Sequence, residues 1–403
     1  MPYERKIIND PVFGFINIPK GLLYDIVRHP LLQRLTRIKQ VGLSSVVYPG
    51  AQHTRFQHSL GAFHLMSEAI TQLASKGNFI FDSEAEAVQA AILLHDIGHG
   101  PFSHVLEDTI VKGVSHEEIS LMLMEQMNKE MNGQLSLAIQ IFKDEYPKRF
   151  LHQLVSGQLD MDRLDYLRRD SFYTGVTEGN IGSARIIKML DVADDRLVVE
   201  SKGIYSIENF LTARRLMYWQ VYLHKTSVAY EKMLISTLLR AKELASQGVE
   251  LFASPALRFF LYNDINPTEF YNNPDCLENF IQLDDNDIWT ALKVWSTHTD
   301  KVLSTLSTGM INRNIFKVEI SSEPISEDRK KELTLHISQQ LGITLSEANY
   351  FVSTPSIEKN MYDPADDSID IIYKDGTIKN IAEASDMLLS LIHISEPTRL
   401  GMI

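Results

Sequence analysis

The sequence predicts a mainly α protein, with an all-α helical core and a small C-terminal α+β appendage. Helical periodicity dominates from about residue 20 to residue 310, and strand-like alternation becomes common only after that point. A run of helices with few strand signals is typical of an all-α domain. Hydrophobic residues make up 44% and charged residues 23% of the 403 residues, which favours an ordinary globular chain over a disordered or membrane protein.

The change of pattern near residue 310 predicts the domain organisation. We expect a helical domain over residues 1–310 and a small α+β domain over residues 311–388. The stretch LSLIHISEPTR lies in residues 389–403 and resembles the translation of a sequencing adapter. We therefore expect residues 389–403 to be an artefact and the natural C-terminus to be missing.

Helix signals follow one another along the first domain. Ser83 and Glu86 form a potential capping box ahead of AVQAAILLHDIG, in which apolar residues and His95 share one face. The glycines and the proline of residues 98–101 are expected to end this helix. Further helices are predicted over residues 57–76, 116–130, 151–170, 206–243 and 285–306.

The C-terminal segment mixes strand and helix signals. IFKVEIS, residues 315–321, alternates as a strand does, and ISEDRKKELTLHISQQLG has a helical pattern. In IDIIYKDGTIKNI, Asp375 and Gly376 separate two strand-like runs, which predicts a β-hairpin. These elements predict the α+β appendage.

Charge and cysteine content limit the possible partners and location. The formal net charge is −13 and no stretch concentrates Lys and Arg, so we expect no extended nucleic-acid binding. An acidic protein can still bind a small polyphosphate where a few cations or a metal converge. The single cysteine, Cys276, excludes an internal disulfide, and we find no signal peptide and no apolar run long enough to span a membrane. We therefore expect a cytoplasmic protein without a membrane partner.

Four segments contain the residues that could carry chemistry. They are HTRFQHSLG (53–61), LLHDIGHGPFSH (93–104), VSHEEIS (114–120) and LDMDRLDYLRRD (159–170). Imidazole and carboxylate ligands without cysteine suit Fe, Mn, Zn, Co or Ni.

Two of these segments indicate a metal site by their residue order. His95 and Asp96 stand at the end of an apolar helix, where a buried carboxylate needs a cation or several donors. We interpret His95 and Asp96 as two ligands of one metal ion. Asp162, Tyr166 and Asp170 follow at i, i+4 and i+8, so one helix stripe can present two carboxylates and a hydroxyl to one cavity.

Together, the four motifs resemble those of the His-Asp domain phosphohydrolases, and more narrowly the branch of deoxynucleoside triphosphate triphosphohydrolases. The resemblance extends from KIINDPVFGFINIP at residue 6 to YLHKTSVAYEKML near residue 234. It implies one divalent transition metal (Fe, Mn, Zn, Co or Ni), with additional Mg²⁺ as a candidate. The implied metal ligands are His58, His95, Asp96 and Asp162.

The resemblance also implies catalytic and substrate-binding residues. His116 stands where the family has a general acid, His104 lies near the same pocket, and Asp96 is counted with them as catalytic. The implied substrate contacts are Arg55, Gln40, Val41, Tyr166, Asp170, Arg214, Tyr222 and Lys225. The three cations would bind phosphate, the tyrosines and Asp170 the sugar, and the Gln40–Val41 pair the deoxyribose hydroxyl region.

Structural interpretations of the same residues stay open. The three cations could be surface charges, and the tyrosines and Gln40 could serve packing or hydrogen bonding. His99 and His104 could cap or brace the glycine turn, an interpretation that we favour for His99, and His53 and His64 are predicted to be structural.

The implied activity is hydrolysis of deoxynucleoside triphosphates to deoxynucleoside and triphosphate by a homo-oligomer, a dimer or tetramer. Two alternatives remain. One is a nucleotidase or phosphodiesterase of the same family that acts on another phosphorylated metabolite. The other is a nucleotide-binding regulatory protein with low turnover.

Overall fold

The computed structural model describes residues 5–102, 104–111, 113–321, 325–354, 356–357, 368–387 and 398–402. Its architecture is mainly α with a small α+β C-terminal segment, as the sequence predicts, and it has further strands at the N-terminus and beside the helical core that the sequence does not predict. None of the helices in these ranges combines the length and the apolar composition needed to cross a bilayer.

The first half of the chain supplies a hairpin and the helices that surround the site. The hairpin strands are β1 (Arg5–Asp10) and β2 (Gly14–Pro19), which pair antiparallel. The helices are α1 (Leu22–Arg28), α2 (Pro30–Gln33), α3 (Arg55–Ser75), α4 (Asp82–Leu94), α5 (His104–Thr109), α6 (His116–Glu130), α7 (Ser136–Phe142), α8 (Arg149–Val155), α9 (Met161–Thr174) and α10 (Ser183–Met189).

The second half of the chain completes the helical core and adds the C-terminal segment. Its helices are α11 (Ile204–Met217), α12 (Lys225–Ser246), α13 (Pro255–Tyr262), α14 (Pro267–Asn272), α15 (Pro274–Phe280), α16 (Asp285–Trp295), α17 (Lys301–Asn312), α18 (Glu327–Leu341), α19 (Leu345–Ala348) and α20 (Ile381–Ala384). Its strands are β3 (Leu190–Ala193), β4 (Arg196–Glu200), β5 (Val318–Ser321), β6 (Ser356–Ile357), β7 (Asp370–Ile372), β8 (Ile378–Asn380) and β9 (Thr398–Met402).

Three helices that the sequence predicts as continuous are interrupted. The predicted helix 151–170 is split into α8 and α9, because Asp160 accepts the Arg163 N–H at 2.7 Å and starts a new helix. The predicted helix 285–306 is split into α16 and α17 for the same reason, since Asp300 caps α17. The predicted helix 206–243 is interrupted by a π-helical turn at residues 218–222.

The helix that leads to the His-Asp pair also differs from its predicted bounds. The carboxylate of Glu84, rather than Glu86, accepts a backbone N–H from the N-cap residue, which is Phe81, at 2.8 Å. Glu84 is buried and bonds Tyr146 as well, so a tertiary contact selects this cap over the one at Ser83. The helix ends at Leu94, before the histidine, and not at the glycines. His95 therefore lies at the helix terminus.

The predicted hairpin near Asp375 is confirmed as strands β7 and β8. Gly376 adopts a φ of +85°, in the left-handed region that glycine enters without strain. Strand β7 also pairs in parallel with β4, which gives the strand order β3-β4-β7-β8. Residues 368–387 therefore extend a sheet that begins in the helical region. The third sheet has the order β5-β9-β6, and residues 388–397 lie outside the described ranges.

Helices α3 and α9 approach closely at the centre of the core. At Gly61 in α3, an added Cβ atom would lie 1.9 Å from Asp165 Oδ1 and 2.1 Å from Arg169 Nη2, both on α9. Only a residue without a side chain fits at this crossing. The close approach places the motif residues of the two helices side by side.

Candidate metal centre

Three predicted ligand residues from separate elements converge on one point. His58 projects from α3, His95 from the end of α4, and Asp162 from the first turn of α9. His58 Nε2 lies 3.2 Å from His95 Nε2 and 3.0 Å from Asp162 Oδ1, and His95 Nε2 lies 3.5 Å from the same oxygen. Each residue offers one donor atom, and these three atoms lie within 4.8 Å of one another.

The far nitrogen of each imidazole is already engaged. His95 Nδ1 lies 2.7 Å from the carbonyl oxygen of Ile92, which can only accept, so Nδ1 carries the proton. His58 Nδ1 lies 2.7 Å from Asp165 Oδ2 and donates to that carboxylate. In the neutral rings, both Nε2 lone pairs therefore point at each other and at Asp162. Either a proton or a metal ion between these atoms relieves the repulsion among the three electron-rich donors.

The spacing of the donors fits a divalent transition metal. Metal–nitrogen and metal–oxygen bonds of about 2.0–2.2 Å separate neighbouring ligands in tetrahedral or octahedral sites by roughly 3.0–3.5 Å. The three donor-to-donor distances of 3.0, 3.2 and 3.5 Å fall in that range. The cluster of two imidazoles and a carboxylate is thus able to hold such an ion.

Negative charge around the donors favours a bound cation. Burial opposes the charged imidazolium of His58, but its hydrogen bonds to Asp162 and Asp165 outweigh burial and raise its pKa to about 10. Burial would raise the pKa of Asp162, yet its hydrogen bonds to His58 and His95 lower it. A proton and a metal ion therefore compete for the same position.

A buried ion-pair network supports His58 from behind. Asp165, fully buried on α9, accepts from His58 and from Arg169, whose Nε lies 2.9 Å from Asp165 Oδ2. Arg169 also donates to Asp10, at the end of β1, with an Nη1–Oδ2 distance of 2.7 Å. Such outer hydrogen bonds fix the orientation and the tautomer of a ligand histidine. The N-terminal hairpin is thereby linked to the candidate metal ligands.

The fourth predicted ligand, Asp96, borders the cluster. Its Oδ1 lies 3.5 Å from His95 Nε2, and its Oδ2 lies 3.7 Å from His58 Nε2. Arg55 Nη1 donates to Asp96 Oδ2 at 2.6 Å, and His99 Nε2 lies 3.2 Å from Oδ1. Asp96 therefore lies between the three candidate donor atoms and the guanidinium of Arg55. Its role as a metal ligand stays a prediction.

The predicted general acid is connected to this carboxylate through His99. His116, the first residue of α6, stacks on His99 with ring centroids 3.9 Å apart. The start of α6 lies against Gly98, where a Cβ would be 2.2 Å from the His116 carbonyl oxygen. Burial, followed by the Arg55 charge, lowers the pKa of His99 to about 3, so that ring is neutral. The side chain of His104 lies outside the described residues, although its backbone begins α5.

A second polar group lies further along α9. Asp170 is buried and accepts from the Tyr222 hydroxyl at 2.6 Å, and its Oδ1 lies 2.7 Å from His53 Nε2. Tyr166 meets Tyr222 edge to face, with centroids 6.0 Å apart. Three of the predicted sugar contacts therefore form one connected cluster.

Gln40 lies next to this cluster and carries an unused acceptor. Its backbone N–H donates to the His53 carbonyl at 3.0 Å. Its side-chain Oε1 is buried and has no hydrogen-bond partner among the described residues. Val41, which follows, is half-buried. An unsatisfied buried acceptor is costly, and a ligand hydroxyl would satisfy it.

Asp285, at the start of α16, anchors the chain just before Gln40. Its Oδ2 accepts the Lys39 N–H at 3.0 Å, whereas its buried Oδ1 has no partner among the described residues. Burial raises the pKa of Asp285 to about 7. The folded chain thus retains a proton that the unfolded chain releases near pH 4.

We expect Asp285→Asn to change the pH dependence of stability. Because the pKa of Asp285 is higher in the folded chain than in the unfolded chain, its contribution to the free energy of unfolding of the wild type falls as pH rises from about 4 to 7. From pH 5 to pH 8 the Asn variant should gain roughly 2–3 kcal/mol relative to wild type. Denaturant unfolding at both pH values measures this difference. Asp264→Asn, at a residue whose side chain is 98% exposed, is the control and should show no such trend.

The remaining predicted phosphate contacts occupy different environments. Arg214, in the last turn of α11, is buried and its Nη1 donates to Gln158 Oε1 at 2.9 Å. Lys225 is exposed at the first residue of α12. The structure thus buries one of these cations and leaves the other at the surface, and both stay predictions as substrate contacts.

Several residues of the site were not identified from sequence. Asp165, Arg169 and Asp10 form the support behind His58, but only the folded chain brings them together. His99 and His53 were predicted to be structural. His99 lies between Asp96 and His116, and His53 contacts Asp170. The i, i+4 spacing of His95 and His99 was the available signal for the first of them.

Family models match two parts of the helical region. Residues 55–170 match the HD domain, and residues 181–253 match an HD associated region. His58, His95 and Asp162, together with most of the residues that support them, lie within the first of these ranges.

Relatives and solved structures match between 78% and 99% of the chain. A crystal structure of a phosphohydrolase from Bacteroides thetaiotaomicron has a TM-score of 0.97 and 92% identity, covering 99% of each chain. The uncharacterized protein YwfO of Bacillus subtilis is 29% identical over 96% of this chain and 89% of its own length. The deoxynucleoside triphosphate triphosphohydrolase SAMHD1 homolog of Dictyostelium discoideum is 30% identical over 78% of this chain, and the chain spans 60% of that protein.

Proposed function

Because the chain belongs to the HD-domain phosphohydrolase family, we propose that it hydrolyses deoxynucleoside triphosphates to deoxynucleoside and triphosphate. The observation that carries the proposal is the convergence of His58 Nε2, His95 Nε2 and Asp162 Oδ1 within 4.8 Å. The similarity to a relative named as a deoxynucleoside triphosphate triphosphohydrolase supports the substrate class.

Under this proposal the metal ligands are His58, His95, Asp162 and Asp96. A divalent cation held there would supply Lewis acidity to the phosphoryl group and a nucleophile at neutral pH. Asp165 and the Ile92 carbonyl keep the two imidazoles oriented toward the cation. The Asp96 carboxylate accepts a hydrogen bond from Arg55, so the Arg55 guanidinium lies next to the position where phosphate charge would accumulate.

The reaction breaks the bond between the α-phosphorus and the 5′ oxygen. Water adds to the phosphorus, and the 5′ oxygen leaves with a proton as the deoxynucleoside. We assign delivery of that proton to His116, whose ring is held on neutral His99 beside Asp96. Arg55, Arg214 and Lys225 would neutralise the released triphosphate.

The Asp170 cluster is assigned to the sugar. Tyr222 and His53 hold both oxygens of Asp170, and Tyr166 forms an adjoining wall. Gln40 Oε1 offers the unsatisfied acceptor for a sugar hydroxyl, and the half-buried Val41 follows it in the chain. This set suits a deoxyribose ring at one end of a site whose other end binds phosphate.

Product identification tests the proposal. Protein loaded with Mn²⁺ is incubated with each dNTP, each NTP and a generic phosphodiester, and products are separated by chromatography. We expect deoxynucleoside and triphosphate from dNTPs. A nucleoside monophosphate, or turnover of the diester alone, would favour a nucleotidase or phosphodiesterase. Bound but unchanged dNTP would favour a low-turnover regulatory protein. The predicted homo-oligomer, cytoplasmic location and two-domain division are separate predictions.

A further inference from the structure

A buried arginine, Arg34, holds the turn that follows the His-Asp pair. Arg34 is 2% exposed and lies in a short 3₁₀ turn after α2. Its Nη1 donates to the Ile97 carbonyl at 3.1 Å and its Nη2 donates to the His99 carbonyl at 2.8 Å. One guanidinium thus bonds the two carbonyls on either side of Gly98.

The turn depends on side chains from elsewhere in the fold. Ser120 Oγ, on α6, donates to the His95 carbonyl at 2.8 Å and accepts the Gly98 N–H at 2.9 Å. The Asp96 carbonyl accepts the His99 N–H at 3.1 Å within the turn itself. Arg34 and Ser120 therefore fix the peptide groups from which Asp96 and His99 project.

The environment of Arg34 is unfavourable for a purely stabilising role. Its guanidinium lies over the Phe280 ring, 5.1 Å from the centroid, and the neighbouring Asp284 bonds Arg37 instead. No ion pair between Arg34 and a carboxylate occurs among the residues that the structure describes. Burial accordingly lowers the pKa of Arg34 to about 9. A buried cation without a direct counter-ion costs stability, so a gain in local geometry must offset it.

We propose that Arg34 is a positioning residue of the metal site: it fixes the Ile97–His99 backbone so that Asp96 and His99 face the metal ligands and His116. The expected effect of Arg34 on turnover rests on the proposed function, whereas its expected effect on metal binding does not. When either Arg34 hydrogen bond is lost, the turn relaxes. The Asp96 carboxylate then moves away from the position in which it accepts a hydrogen bond from Arg55.

Two variants separate positioning from folding. Arg34→Lys keeps a charge but cannot match the planar fork that reaches two carbonyls. Arg34→Met keeps the buried volume and removes the buried charge, so we expect it to fold although the Ile97 and His99 carbonyls lose their donor. Arg240→Lys is the matched control. Arg240 is also a largely buried arginine, but it bonds Asp300 and Glu347, far along the chain from the His-Asp turn.

The test is Co²⁺ titration of the metal-free protein, followed by visible spectroscopy of the bound ion. We expect the Arg34 variants to raise the Co²⁺ Kd about 10- to 100-fold and to change the d–d absorption, as loss of an outer hydrogen bond does. Arg240→Lys should lower the melting temperature and leave the Co²⁺ Kd and spectrum unchanged. With substrate, the Arg34 variants should lose kcat while KM stays within about twofold.

The outcomes distinguish the two proposals. Wild-type Co²⁺ affinity and spectrum in a folded Arg34 variant would overturn the positioning role while leaving the hydrolase proposal intact. Failure of both Arg34 variants to fold would show a structural role and overturn it as well. A wild-type protein that hydrolyses no dNTP but loses Co²⁺ affinity on Arg34→Met would overturn the hydrolase proposal alone.

Discussion

Asp162→Ala is expected to abolish metal binding at the candidate centre and to lower turnover by about 1,000-fold or more. Asp162 contributes the only carboxylate oxygen that lies within 3.5 Å of both His58 Nε2 and His95 Nε2 among the described residues. Its loss leaves the two imidazoles with Asp96, whose oxygens lie 3.5 Å from His95 Nε2 and 3.7 Å from His58 Nε2, and several kcal/mol of barrier lowering are lost with the cation. Metal content by mass spectrometry and the dNTP assay measure both effects.

The control is Asp25→Ala, at an exposed residue in the first turn of α1. Circular dichroism should show unchanged helical content in both variants, because Asp162 is not the cap of α9. Stoichiometric metal and full activity in Asp162→Ala would remove this residue from the site.

Gly61→Ala is expected to lower the free energy of unfolding by about 3 kcal/mol or more. The new methyl group would lie 1.9 Å from Asp165 Oδ1 and 2.1 Å from Arg169 Nη2, so α3 and α9 must move apart. That movement breaks a buried ion pair and the Asp165 bond to His58, and leaves charges without partners. A thermal-shift assay should show a fall of roughly 5 °C or more.

Gly182→Ala is the matched control for this crowding. Gly182 is exposed and does not have a positive φ, and a Cβ there would meet only the Arg185 Cβ at 3.9 Å. We expect no measurable loss of stability or metal binding in that variant. Equal melting temperatures for Gly61→Ala and wild type would mean that α3 and α9 do not cross this closely.

Local signals were sufficient for some elements of the fold. Helix α6 has the predicted bounds, 116–130, and its start is fixed locally, because Ser115 and Glu118 form a capping box within four residues. The β7–β8 hairpin was predicted from Asp375 and Gly376 for a similar reason. These features depend on neighbours in sequence.

Interrupted helices and the N-terminal hairpin required information that the local pattern does not contain. Asp160 and Asp300 resemble ordinary polar residues inside helical stretches, but each accepts a backbone N–H and starts a new helix. The hairpin buries Ile16 and Ile18, and Asp10 at its first strand's end reaches Arg169. Tertiary contacts thus decide these boundaries.

The same distinction applies to the site. The resemblance of the motifs to a known family implied His58, His95, Asp96 and Asp162 as ligands, and the structure brings His58, His95 and Asp162 within 4.8 Å of one another. Their support was not predictable in this way, because Asp165, Arg169 and Arg34 look like solvated charges in a linear sequence. The folded chain shows instead that they are buried, since each is 2% exposed or less.

The central claim is that one cation is held between His58, His95 and Asp162. Crystals soaked in Mn²⁺ and measured at the manganese absorption edge test it directly. We predict one strong anomalous peak about 2.0–2.2 Å from His58 Nε2, His95 Nε2 and Asp162 Oδ1, with Asp96 beside it. Full occupancy elsewhere, with no peak between these three atoms, would contradict the account.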